Sequence, residues 1–166
     1  MPDARQLFDE HHQSLYRYLV RFSGDADLAA DAVQEAFLKL VERPPPDAAF
    51  ARAWLFKVAT NAVLQAARAR SRRVRILAAA PARTPVADPP RSPYDLVEAG
   101  DQRRLVAAAL ASLSEKERTA LLMREEGFSH REIAETVGTT TGSVGTLVAR
   151  ALARLADLLA LDRDDI

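Results

Sequence analysis

The stretch from Leu113 to Leu159 constrains the fold most, because its punctuation marks out three helices at close spacing. Ser114 precedes an apolar run and Glu117 follows three residues on. In that pattern a hydroxyl and a carboxylate reciprocally satisfy backbone N–H groups at a helix start. Gly127 closes this helix. Ser129 with Glu132 repeats the pattern for a second helix, His130 to Val137, and Gly138 with the threonines after it makes the next break. Thr140 is placed to cap a third helix beginning near Thr141. A short helix, a tight glycine turn and a longer helix is helix-turn-helix geometry. Ile133, Ala134 and Val137 share one face of the middle helix. Val144, Val148, Ala151, Leu152 and Leu155 share one face of the last and would form the seam between the two. Such a pair is either a DNA-reading module or a plain helical hairpin in an all-α domain.

Upstream, Leu7, Phe8, His11, Leu15, Tyr18, Leu19 and Phe22 recur at helical spacing and predict a helix ending at Gly24. Asp25 or Asp27 can cap the next, about Leu28 to Glu42. Its Leu28, Ala32, Ala36 and Leu40 face inward, while Asp31, Gln34, Glu35 and Lys39 point outward. Pro44, Pro45 and Pro46 stop it. Asp47 starts a third helix, about Ala48 to Arg73, with Phe50, Trp54, Val58, Val63 and Leu64 as apolar surface.

Charge is informative only locally. The 166 residues carry 23 basic and 23 acidic side chains, so no global field draws the chain to nucleic acid. Yet no acid lies between Asp47 and Asp88, where eight basic residues fall, and residues 68–75 hold five arginines. The run continues a helix carrying Trp54, Lys57 and Asn61, which adds stacking and hydrogen-bonding groups to a phosphate-attracting surface. The plain alternative is a solvated face.

Residues 79–95 contain five prolines among small and polar residues and read as a linker. The expected division is a first domain over residues 1–80, a linker over 81–100 and a second domain over 101–166. Their net charges are +3, −1 and −2. Leu105, Val106, Ala109 and Leu110 open the second domain's apolar face, and the acidic tail after Leu161 should fray. The expected architecture is all-α, two small helical domains with a helix-turn-helix in the second.

Other classes are disfavoured. There is no cysteine, and His11, His12 and His130 show no metal-site spacing, so neither metal nor cofactor is expected. No carboxylate pair, catalytic triad or phosphate-binding glycine loop appears, so no enzyme is expected. No apolar run reaches membrane-spanning length and no signal segment precedes Leu7, which points to the cytoplasm.

Three blocks in register carry a family resemblance. They are LYRYLVRFSGDADLAADAVQEAFLKLVE, then AWLFKVATNAVLQAARARSRR, and, past the proline-rich stretch, LSEKERTALLMREEGFSHREIAETVGTTTGSV. The chain resembles the group 4, or extracytoplasmic function (ECF), sigma factors of bacterial RNA polymerase. The first block is similar to regions 2.1–2.2, with Asp31, Gln34, Glu35 and Phe37 as its core. The second is similar to regions 2.3–2.4, with Arg52, Trp54, Leu55, Ala59, Asn61 and Arg68. The third is similar to region 4.

The resemblance implies a transcription initiation factor that binds core RNA polymerase and directs it to −10 and −35 promoter elements. It implies docking on the polymerase β′ coiled coil through Asp31, Gln34, Glu35 and Lys39, and contact with the β flap. It implies that residues 43–50 with Trp54 and Asn61 hold the −10 strand, including a flipped base whose unstacking a protein pocket must offset. Arg52, Lys57, Arg68, Arg72 and Arg73 become DNA-contact candidates, as do Arg131, Thr140, Thr141, Ser143, Thr146 and Arg150 at the −35 element. An anti-sigma factor is the expected regulator.

The departures fall in the third helix of the second domain. Where the family has G-T-V-K-S-R-L-x-R-A, this chain has GSVGTLVARA from Gly142 to Ala151, with Gly145 for lysine and Leu147 for arginine. Those are the groups best able to reach phosphates or guanine edges. A common region 2.4 aspartate is Gln65 here. Two other readings follow: a sigma-like protein whose second domain mainly binds a protein regulator, and a dimeric helix-turn-helix repressor.

Overall fold

The computed structural model describes residues 3–79 and 99–161, and all regular structure among them is helical. The first half consists of α1 (Ala4–Ser23), α2 (Ala26–Glu42), a 3-10 turn (Ala48–Phe50) and α3 (Ala51–Ala79). The second consists of α4 (Ala99–Ser112), α5 (Glu115–Glu125), α6 (His130–Val137) and α7 (Thr141–Leu161).

Local chemistry sets these boundaries. Gly24 sits at φ 69° and its N–H donates to the Val20 carbonyl, ending α1 in a left-handed turn that a β-carbon would strain. Asp25 caps α2 at once, accepting the Leu28 N–H at 3.0 Å. So short a connection turns the two helices back on one another. Burial opposes ionisation of Asp25, but the Leu28 N–H outweighs it and Arg70 adds to it, so the carboxyl is held below its usual range. In the second half both reciprocal caps form, Ser114 with Glu117 and Ser129 with Glu132. Loss of such a cap costs about 1 kcal/mol. Thr140 instead bonds its hydroxyl to that of Ser143 at 2.7 Å, and its carbonyl accepts the Ser143 N–H.

Ala29, Ala32 and Ala36 lie buried on one side of α2 and let it approach its neighbours closely. Leu15, Tyr18, Leu19 and Phe22 of α1 and Leu55, Phe56, Ala59 and Val63 of α3 complete that core. In the second half Ile133 and Ala134 of α6 meet Val144, Val148 and Ala151 of α7, with Leu122 and Met123 of α5 beneath.

Three expectations are revised. The third helix runs on to Ala79 instead of ending at Arg73, because residues 74–79 are all compatible with helix. The arginine run is therefore held on a rigid element, and Val74, Ile76 and Leu77 stand 60–70% exposed on its last turns. Among the described side chains of α4, Ala109 and Leu110 are buried, whereas Leu105 and Val106 are 40% and 44% exposed: α4 packs through the residues near its C-terminal end. On α7, Leu152 lies outside the seam and is 51% exposed. The linker expected over 81–100 lies outside the described residues apart from Ala99 and Gly100, and the acidic tail beyond Leu161 also lies outside them.

Tyr18 is the fully buried polar link between α1 and α3. Its hydroxyl lies 3.0 Å from that of Thr60, which donates to the Phe56 carbonyl at 2.7 Å. Thr60 has spent its hydrogen, so Tyr18 is the donor. Burial pushes the phenol's pKa far up, so it keeps its proton. Tyr18→Phe should cost about 1 kcal/mol in urea unfolding, because Thr60 retains its bond to Phe56. A loss above 3 kcal/mol would mean that the hydroxyl holds together more than this one pair.

Candidate nucleic-acid interface

Helix α3 sorts its polar residues by direction. Trp54, Asn61, Arg68, Arg72 and Arg75 follow one another by seven, seven, four and three positions, which at 3.6 residues per turn is a single stripe. Trp54 is half-buried and packs against the core of the first half, while Asn61, Gln65 and the arginines are exposed. A partly anchored aromatic followed by an amide and a column of cations is a surface on which a base can stack while its backbone meets positive charge. Arg68 also reaches Glu115 at 3.1 Å in an exposed pair. Arg73 lies about a quarter-turn off the stripe. Arg70 points elsewhere and pairs with Asp25 at 3.1 Å.

Lys57 lies on that stripe, three positions after Trp54 and four before Asn61, whereas Arg52 and Arg131 sit apart from it; all three reach the junction of the two halves. The Arg52 guanidinium lies 4.1 Å from the Phe128 ring centroid and donates to the Glu126 carbonyl at 2.7 Å. Lys57 donates to the Glu135 carbonyl at 3.3 Å. Arg131 lies 5.4 Å from the Phe50 ring and pairs with Glu135.

On the second half, Thr140 and Thr141 stand exposed at the start of α7, and Ser143, Thr146 and Arg150 follow along one face. Gly142 and Gly145 leave open backbone there. A β-carbon at Gly142 would meet nothing within 4 Å, and at Gly145 only His130 Cε1 at 4.0 Å. Space therefore does not demand either glycine. Leu147 is half-buried against the core of its own half.

A second surface lies between α1 and α2. A groove of about 700 Å³ there is lined mainly by apolar groups, including Phe8, Tyr16, Val33, Phe37, Leu38 and Val41. Leu38 and Val41 are 58% and 69% exposed. Gln34 lines the groove and Asp31 is exposed nearby on α2, one turn before it. Glu35 and Lys39 are joined to each other at 2.6 Å. The sequence reading found the polar residues of this face but not Phe8, Tyr16, Leu38 and Val41. The available signal was apolar residues on α2 falling outside its Ala32–Ala36–Leu40 side.

Among the described residues no group of acidic or histidine side chains is arranged to hold a metal, and no helix is long and apolar enough to cross a membrane.

Comparison with known proteins agrees with this geometry. A family model described as "Sigma-70 region 2" matches residues 7–73, and one described as "Sigma-70, region 4" matches residues 103–155. The ECF RNA polymerase sigma factor SigL of Mycobacterium tuberculosis is 39% identical over 145 residues, covering 84% of this chain and 79% of its own. SigM of the same species is 32% identical over 160 residues, covering 93% and 76%. The chain belongs to the ECF sigma factors.

Among solved structures, the sigma factor RpoE of Bartonella quintana, in complex with the anti-sigma factor NepR, superposes with a TM-score of 0.72 at 27% identity. That match covers 98% of this chain and 99% of the other. CnrH, in complex with the cytosolic domain of CnrY, shares the fold with a TM-score of 0.67 at 23% identity, over 96% of this chain and 88% of its own. As an ECF factor the protein is a non-catalytic transcription factor that works with RNA polymerase at promoters.

The stripe on α3 makes a quantitative claim. Replacing Arg68, Arg72 and Arg73 together with alanine should lower the slope of log binding constant against log salt by roughly two to three, for promoter duplex flanking the −10 element. Arg70→Ala, which removes the Asp25 pair, is the comparison variant. Equal slopes in all three proteins would return the arginine run to a solvated face.

Proposed function

We propose that this ECF factor docks on core polymerase through the α1–α2 face and holds the −10 strand against the α3 stripe. In this reading residues 1–80 form the polymerase and −10 unit and residues 101–166 the −35 unit, joined by 81–100. The carrying observation is the α3 stripe, in which Trp54, Asn61, Arg68 and Arg72 fall in one line on a helix rigidly packed to α2. Residues 43–50 lie directly before it, where an unstacked base would be held. Asp31, Gln34, Glu35 and Lys39 border the apolar groove on α2, and the β′ coiled coil is the occupant this reading assigns to that face. The second half contacts the β flap, and the protein acts in the cytoplasm with the polymerase.

At the −35 element, α7 presents hydroxyls where the family commonly carries long cations. Thr141, Ser143 and Thr146 suit thymine methyls, phosphates and A·T steps better than a bidentate guanine contact. Arg150 and Arg131 remain as cations. Discrimination per base pair is then at or below the low end of roughly 1–3 kcal/mol. Tethering by polymerase raises the effective concentration of α7 at the upstream site and compensates for that weakness. The RpoE relative above, solved with the anti-sigma factor NepR, supports an anti-sigma factor as the regulator.

Two outcomes are expected. Asp31→Lys with Glu35→Lys should weaken core polymerase association in a titration at least tenfold, with unchanged helical circular dichroism. Undiminished affinity would remove this face from the docking surface. In transcription in vitro with purified core on a randomised promoter library, the −10 element should be sharply selected and the −35 element shallowly. An invariant run of G at −35 would overturn the weak-reader assignment. No transcript despite intact core binding would favour a sigma-like protein that binds only protein partners through its second half.

A further inference from the structure

The groove between α1 and α2 has an aromatic wall that the charged row on α2 does not touch. On α1, Phe8 stands 43% exposed and stacks flat on His12, with ring centroids 4.4 Å apart and planes 2° from parallel. The Phe8 carbonyl can only accept, so His12 Nδ1, 2.6 Å from it, donates and pins the imidazole against the ring. On the facing helix Phe37 meets Phe8 edge-on, with centroids 5.0 Å apart. Three rings thus run from α1 onto α2, and the middle one is open to solvent. Leu38 and Val41 rise beside them on α2, and Tyr16 continues the α1 wall about two turns past Phe8. Asp31, Glu35 and Lys39 line no part of the groove, and Glu35 is already tied to Lys39 at 2.6 Å.

Phe8, Tyr16, Leu38 and Val41 are all exposed, so no described residue covers them. A ring already held by its neighbour has little rotamer freedom left to lose, which lowers the cost of burying it against a partner. The shape of the groove restricts what fills it. Its lining runs from Ala4 to Tyr16 on one wall and from Ala30 to Val41 on the other. At 1.5 Å per residue each wall is roughly 17 Å long, about three turns of helix. A third helix laid along two packed ones sets its ridges between theirs and brings apolar side chains at three- and four-residue spacing. Nucleic acid is a poor fit, because Arg5 and His12 are the only lining side chains able to carry positive charge.

We propose that Phe8 and Tyr16 of α1, with Leu38 and Val41 of α2, form the apolar centre that carries most of the affinity for the coiled-coil helix, while Asp31 and Glu35 orient it from the rim. The proposal rests on the reading of the α1–α2 face as the β′ docking surface. It adds that α1 is half of that surface and that the entering helix presents a row of apolar side chains to the rings. Interface energy concentrates where apolar groups are fully desolvated, whereas rim charges act mainly on encounter.

That division of labour separates in kinetics. Association with and dissociation from core polymerase are followed at low and at high salt for three kinds of variant, with helical circular dichroism as the check on folding. Phe8→Ser removes the open ring of α1, and Leu38→Ser with Val41→Ser changes two side chains that are more than half exposed. Asp31→Lys with Glu35→Lys is measured in parallel. Each apolar variant should weaken binding by roughly thirtyfold or more, through faster dissociation and equally at both salt levels. The charge-reversed protein should lose association rate instead, and its loss should shrink at high salt. Phe8→Tyr, which keeps the ring, should bind as the parent does. Should Phe8→Ser lose helicity, Tyr16→Ser on the same wall replaces it. If the α1 variants bind like the parent while charge reversal weakens binding, the docking reading stands and the part given to α1 is overturned. A loss in the apolar variants that appears in the association rate and fades with salt would overturn it too. If neither the apolar nor the charged variants change affinity, it is the docking reading itself that has failed, and the apolar centre with it.

Discussion

Phe56 touches both halves at once. Its ring lies 5.0 Å from Tyr18 in the first core and 4.8 Å from Phe128 in the second, and the Arg52 guanidinium sits against Phe56 and Phe128. The rest of the arrangement follows from that contact. Tyr18 is fixed by Thr60, Thr60 by Phe56, and Phe128 by its own N–H to the Met123 carbonyl at the close of α5. Two small helical bodies share one continuous core, with Phe56 and Phe128 at its crossing and α1 packed on α4 and α5 beside them. Arg118 braces its edge, donating to Leu110, Ala111 and Leu113 carbonyls as well as to Phe22. A single guanidinium therefore holds the α4–α5 turn and the end of α1 together, using the planar fork of donors that a lysine lacks.

Helix boundaries were legible wherever a residue's own chemistry sets them. Ser114 with Glu117, Ser129 with Glu132, Asp25, Gly24 and Gly138 act through neighbours within four positions, and all stand where their spacing predicts. Inward faces were legible where alanine and leucine recur at helical spacing, as at Ala32, Ala36 and Leu40. Leu105, Val106 and Leu152 were misjudged for one reason: periodicity shows that a face is apolar but not whether a partner covers it. The partners that Arg52, Lys57 and Arg118 find in the opposite half were not legible at all, since they are backbone carbonyls 74, 78 and 96 positions away. No side-chain pattern marks a carbonyl.

The candidate site divides along the same line. The Trp54, Asn61, Arg68 and Arg72 stripe could be seen because it lies on one helix and needs only its period. Grouping Arg52 with it could not be tested by composition: two positions before Trp54 is more than half a turn away, and the seam claims that direction. The groove on α1–α2 was half visible. Its polar border drew notice as Asp31, Gln34 and Glu35, whereas Phe8 was assigned to the inner stripe of α1 and is 43% exposed, stacked on His12 at 4.4 Å.

Leu147 and Gly145 now have separate meanings, although both replace a long cation of the family pattern. Leu147 is half-buried among apolar neighbours of its own half, so its loss of charge accompanies a gain in packing of a helix that must stand on α6 and α5. Gly145 gains nothing comparable. A β-carbon would fit there, and glycine inside a helix costs roughly 0.5–1 kcal/mol relative to alanine. Its effect is to leave α7 backbone bare beside Gly142, Ser143 and Thr146, on the face that carries hydroxyls in place of charge. On α3, by contrast, cations stand without any acid among them, and Arg52 and Lys57 there are engaged by α5 and α6. The α7 face that would read the upstream element thus carries Arg150 among hydroxyls, while α5 and α6 hold cations of the half that would meet the −10 strand.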